Sequence, residues 1–104
     1  MATVVWTSAA EQDLEEIFLY IGREQHSPAA AAQVIRDIAE KASSYANQPL
    51  LAESRPEFGE SIRACHAHRY VVFYRPAPEG IEVLRVIHGW RDVFKVFRQG
   101  EPSD

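Results

Sequence analysis

Arginines and one histidine dominate the second half of the chain, and their places decide what chemistry is available. Arg63, Arg69, Arg85 and Arg91 fall on or beside short apolar runs, and His88 ends one of those runs next to Gly89. Guanidinium groups bind phosphate or carboxylate through a planar fork of donors and do not titrate near neutrality. They suit charge stabilisation or a docking surface. His88 could titrate near neutral pH and serve as an acid or base, or it could simply cap a turn. Arg85 interrupts an apolar series, and a buried charge there must be paired. Two readings stay open for it: an exposed groove that meets a partner, or an internal ion pair with Asp92 or Glu82. His66 and His68 alternate with Cys65 and Ala67, but no second ligand cluster lies nearby, so a solvated loop is expected and no metal or cofactor.

Charge is uneven along the chain. Residues 1–60 carry ten acids and four bases, whereas residues 61–104 carry five acids and seven bases. An acidic half followed by an arginine-rich half fits a face that meets an anionic or acidic partner, or two surfaces that are merely wet. An overall charge of −4 argues against bulk nucleic-acid binding. The longest apolar run, Tyr70 to Tyr74, is too short to span a bilayer, and no basic region followed by a long apolar segment opens the chain. A single cysteine, Cys65, fits a reducing cytoplasmic setting.

The elements that must position these residues follow from periodicity. Thr3 to Trp6 is β-branched and aromatic and predicts a strand. Ser8-Ala9-Ala10-Glu11 reads as a capping box, with Leu14, Ile17, Phe18 and Ile21 as one apolar helical stripe. Ser27-Pro28 restarts a helix that runs to Asn47-Gln48-Pro49, which makes a helical hairpin. Residues 49–60 read as a loop and Ser61 to Cys65 as a strand. Arg69 to Arg75 is apolar on both faces and belongs in the centre of a sheet. Ile81 to His88 alternates, with Ile81, Val83, Arg85 and Ile87 on one face. Arg91 to Arg98 predicts a short helix. Phe94 is expected in the core, and Trp90 on an interface. The fold class is α+β, in the order β-α-α-β-β-β-α, with the helical hairpin on a small, largely antiparallel sheet. A single domain over 1–104 with a loose tail at about 99–104 is expected.

Laid end to end, these segments resemble the RelE/ParE toxin superfamily, and its ParE (plasmid-stabilisation) branch most. Asp13, Leu14 and Ile17 match the family's opening helix "A-x-x-D-L-x-x-I". Val71-Val72-Phe73-Tyr74-Arg75 followed by Ile81 to Asp92 resembles "V-I-F-Y-R" and then "I-x-I-x-R-V-x-H-x-x-R-D". The resemblance implies a toxin of a type II toxin–antitoxin system, neutralised by a cognate antitoxin, ParD-like or a similar small protein that wraps the toxin, with higher-order toxin–antitoxin complexes. It also implies a target: DNA gyrase for ParE-like members, ribosome-bound messenger RNA for RelE-like ones. A toxin-fold protein that has lost its target and only binds a partner is a further reading.

The nuclease branch usually has an arginine after the first tyrosine of the central strand and a tyrosine near the C-terminus. Here Val71 and Phe97 stand there. Arg91 matches that branch's arginine after the last strand, and Arg63 could replace a lysine. A ribonuclease would therefore use Arg63, His88 and Arg91, whereas a gyrase inhibitor has no catalytic chemistry of its own. The resemblance places target or antitoxin contacts on Arg63, Arg69, Arg85, Trp90 and Arg91, with neither a membrane nor sequence-specific DNA binding.

Overall fold

The computed structural model describes residues 2–89 and 93–99. Its order is β1 (Thr3–Trp6), α1 (Ser8–Glu24), α2 (Pro28–Ala46), β2 (Glu53–Ser54), a 3-10 turn (Pro56–Phe58), β3 (Arg63–Ala67), β4 (Tyr70–Ala77), β5 (Gly80–His88) and α3 (Val93–Gln99). The five strands lie in the order β1-β5-β4-β3-β2. β1 runs parallel to β5, and every other pairing is antiparallel. The α+β class and the helical hairpin on a mostly antiparallel sheet are as the sequence predicts. The tail beyond Gln99 lies outside the described residues, as do Trp90, Arg91 and Asp92.

β4 is central because both of its faces are apolar. Tyr70, Val72 and Tyr74 pack with Ile17, Ile21, Ile38 and Ala42 of the helical hairpin. Val71 and Phe73 point the other way, into a second cluster with Phe58, Ile62, Ile87 and Phe97. The rings of Phe58, Phe73 and Phe97 lie within 5.3 Å of one another, centroid to centroid. Phe97, at 4% exposure, anchors α3 there. Phe94 is 40% exposed, contrary to its expected core place, although it still touches the Phe58 ring.

Local chemistry sets the helix ends. Ser27 caps α2 by accepting from the Ala30 N–H at 3.1 Å, with proline at the first helical position. At α1 the cap is Thr7 and not Ser8: the Thr7 hydroxyl accepts from the Ala10 N–H at 3.1 Å. That hydroxyl also donates to the Leu84 carbonyl at 2.9 Å, so the cap ties the helix to β5 as well. The buried stripe of α1 is Ala10, Asp13, Ile17 and Ile21. Phe18, expected on that stripe, is 38% exposed.

The strict alternation expected along β5 fails. The pairing opposes Tyr74 to Val83 but Phe73 to Arg85, so an irregularity falls at Leu84. Val83 and Val86 therefore face the hairpin, while Leu84 and Ile87 join the second cluster. The 49–60 segment holds a two-residue edge strand and a 3-10 turn, both too short to leave a periodic signal.

Candidate functional site

β1 covers β5 only from Gly80 to Val83. Beyond that the outer edge of β5 would present bare backbone groups, an open invitation to another strand. α1 meets part of this need. The Thr7 N–H donates to the Val83 carbonyl at 3.1 Å. The Val86 N–H donates to the Asp13 carboxylate at 2.9 Å. Because α1 leans over this edge without sealing it, a groove of about 1090 Å³ opens between helix and strand. Gln12, Glu16 and Tyr20 line the helical wall, and Arg69, Arg85 and His88 the opposite one.

Asp13 is the organising residue of the groove. Both its oxygens receive the Arg85 fork: Nε to Oδ2 at 2.7 Å and Nη2 to Oδ1 at 2.9 Å. Arg85 Nη1 also donates to the Val96 and Phe97 carbonyls at 2.7 and 3.2 Å. One guanidinium thus joins α1, β5 and the last turn of α3, where exposed carbonyls favour a cation. The two side chains are 12% and 9% exposed. Of the two readings of Arg85, the structure holds the internal pair, but its partner is Asp13. Glu82 pairs with Arg75 instead, at 2.7 Å, and Asp92 lies outside the described residues. The guanidinium is committed to internal contacts and forms the floor of the groove.

The other expected residues divide between two edges of the sheet. Arg69 is an exposed rim residue of the groove. His88 is half-buried, with its ring edge-on to Tyr70 at 5.3 Å. Arg63 stands on β3 near the opposite edge, where its Nη1 donates to the Leu50 and Ala52 carbonyls at 3.0 and 2.7 Å. Arg63 and His88 are therefore not brought together. Trp90 and Arg91, assigned to the same functions, fall outside the described residues. His68 lines the groove too, and its Nε2 pairs with Asp37 of α2 at 2.7 Å. Among the described residues no group of three His, Cys, Asp or Glu is placed to hold a metal ion. No helix of those residues is long and apolar enough to cross a membrane.

The tyrosines of β4 are buried and hard to ionise. Desolvation pushes the Tyr74 phenol up to about 12 and raises that of Tyr70. Tyr74 donates to the Pro49 carbonyl at 2.7 Å. Asp13 and Tyr20 are site residues that sequence reasoning missed. Asp13 was legible as part of a motif, but its partner lies 72 residues away.

A family model described as the ParE toxin of the type II toxin–antitoxin system parDE matches residues 4–93. The chain belongs to the ParE toxin family. The match runs from β1 through the groove walls to the start of α3. A solved chain described as the chromosomal ParDE TA system from P. aeruginosa shares this ParE-family chain's fold. It has a TM-score of 0.66 and 24% identity, covering 85% of this chain and 96% of that one. No curated protein matches the chain.

Proposed function

We propose that this ParE-family toxin is held inactive in the cytoplasm by a cognate antitoxin of the ParD kind, and that it inhibits DNA gyrase when free. The family match over residues 4–93 carries this reading. The groove between α1 and the outer edge of β5 supports it. An open groove walled by a helix and the end of a strand suits an extended or helical segment of another protein. Arg69 at the rim would contact acidic groups of that segment, while Arg85 and Asp13 keep the floor rigid.

The site chemistry supports a binding role over RNA cleavage. Cleavage at a 2′-hydroxyl needs positioned groups that move a proton and hold a charged phosphate. Tyr74 has its hydroxyl bonded to a carbonyl, and Phe97, where the nuclease branch has a tyrosine, is packed in the aromatic cluster. The Arg63 guanidinium is engaged by the 50–52 backbone.

Induced expression of the chain, alone and with its neighbouring antitoxin frame, tests the reading. The expected result is growth arrest with relaxed plasmid DNA, and rescue by the antitoxin. Arrest with normally supercoiled plasmid and cut messenger RNA would replace gyrase inhibition by the nuclease reading.

A further inference from the structure

The turn that carries Arg69 is tied to the rest of the fold on both sides. β3 and β4 pair through Ala67 and Tyr70, which leaves His68 and Arg69 to reverse the chain. His68 has a φ of 54°, in the left-handed region where a glycine would sit without strain. His26 and Ser61 are the other described non-glycine residues with positive φ, and neither lines the groove. His68 does line it, and its ring Nε2 meets the Asp37 carboxylate of α2 at 2.7 Å. Gln33 donates to the other oxygen of that carboxylate at 2.8 Å. At the next residue the Arg69 carbonyl accepts from the Gly89 N–H at 2.8 Å. An exposed ion pair adds little stability, and a left-handed histidine subtracts some. A glycine would make the more stable turn. What the histidine adds is position.

The residue it positions is Arg69. The floor of the groove is neutral, because Asp13 and Arg85 cancel. On the walls, α1 contributes Glu16 and the β3–β4 turn contributes Arg69. A carboxylate entering the groove is repelled by the first and drawn to the second, whose planar fork matches its two oxygens. A turn that wandered would spread that guanidinium over many places and weaken binding by the freedom lost on docking. We propose that His68, clamped by Asp37, is a positioning residue that fixes Arg69 to receive a carboxylate side chain of the segment filling the groove. The inference rests on the antitoxin reading of the groove given above. It adds the partner's chemistry at this point, an Asp or Glu side chain, and a local strain that the toxin keeps for its sake.

The test measures melting temperature, and affinity for the purified product of the neighbouring antitoxin frame, for the full chain and its variants. Arg69→Ala should weaken binding about tenfold and flatten its dependence on salt. His68→Gly should weaken it at least about fivefold while the melting temperature stays level or rises, a divergence that a merely structural role does not give. Asp37→Ala, which leaves the sequence of the turn untouched, should weaken it by a similar factor. In an Arg69→Ala background neither substitution should weaken binding further. If His68→Gly or Asp37→Ala binds like the wild type while Arg69→Ala does not, the proposal is overturned and the antitoxin reading stands. The proposal also fails if His68→Gly loses affinity and melting temperature together, or if its loss persists in full without Arg69. An undiminished salt dependence in Arg69→Ala overturns it too, because no carboxylate was met. If Arg69→Ala itself binds like the wild type, the segment does not reach this rim, and the groove reading falls with the proposal.

Discussion

Asp13 of α1 and Arg85 of β5 form a two-pronged ion pair, at 2.7 and 2.9 Å, that joins residues 72 positions apart. The pair closes a gap that the sheet leaves open, because Asp13 also takes the Val86 N–H that β1 does not reach. Removing one partner strands a buried charge. We expect Asp13→Ala or Arg85→Ala to lower stability by about 3–5 kcal/mol in urea unfolding, with Asp13→Ala also orphaning the Val86 N–H. The double variant Asp13→Ala with Arg85→Ala should lose less than the sum of the singles. Full additivity in that cycle would contradict a direct coupling.

Acid should loosen the far wall of the groove through Asp37. Its carboxyl is held below the usual range, first by the His68 hydrogen bond and then by that from Gln33. A depressed folded pKa contributes stability above the unfolded value of about 3.9, and that contribution is lost as pH falls through the folded value. In His68→Ala the Asp37 carboxyl should titrate nearer to 3.9 by NMR. An unchanged midpoint would mean the pair does not persist in solution.

Cys65 should be chemically silent while the chain is folded. Burial pushes its thiol up to about 11, so the thiolate that reacts is scarce at neutral pH. A disulfide reagent at pH 8 should label it only after denaturant is added. Rapid labelling of native protein would place the thiol at the surface.

Gly80 of β5 pairs with Thr3 of β1, whose backbone fills the space a side chain would need. A Cβ there would stand 1.9 Å from the Thr3 carbonyl oxygen, against backbone that cannot swing aside. Gly80→Ala should destabilise the fold by about 3 kcal/mol or more, read as a lower urea midpoint. A neutral result would require β1 to be detached.

The parts of the fold that were legible in the sequence are those fixed by local rules. β4 announced its central place through apolar residues at consecutive positions, and α2 announced its start through Ser27-Pro28. Local rules failed where a distant partner decided. Thr7, not Ser8, caps α1 because its hydroxyl is also held by Leu84. The irregularity at Leu84 shifted the faces of β5, so Arg85 could not be placed from alternation. Its partner Asp13 sits on another element, where spacing carries no information. Arg69, Arg85 and His88 were legible as candidates. The groove that unites them depends on how far β1 extends along β5, a property of pairing and not of composition.

The most direct test is a supercoiling reaction with purified gyrase, relaxed plasmid and this chain, followed by titration with the purified antitoxin. The account predicts inhibition by the free toxin and full recovery once antitoxin is stoichiometric. Supercoiling that proceeds unchanged with excess toxin would contradict it.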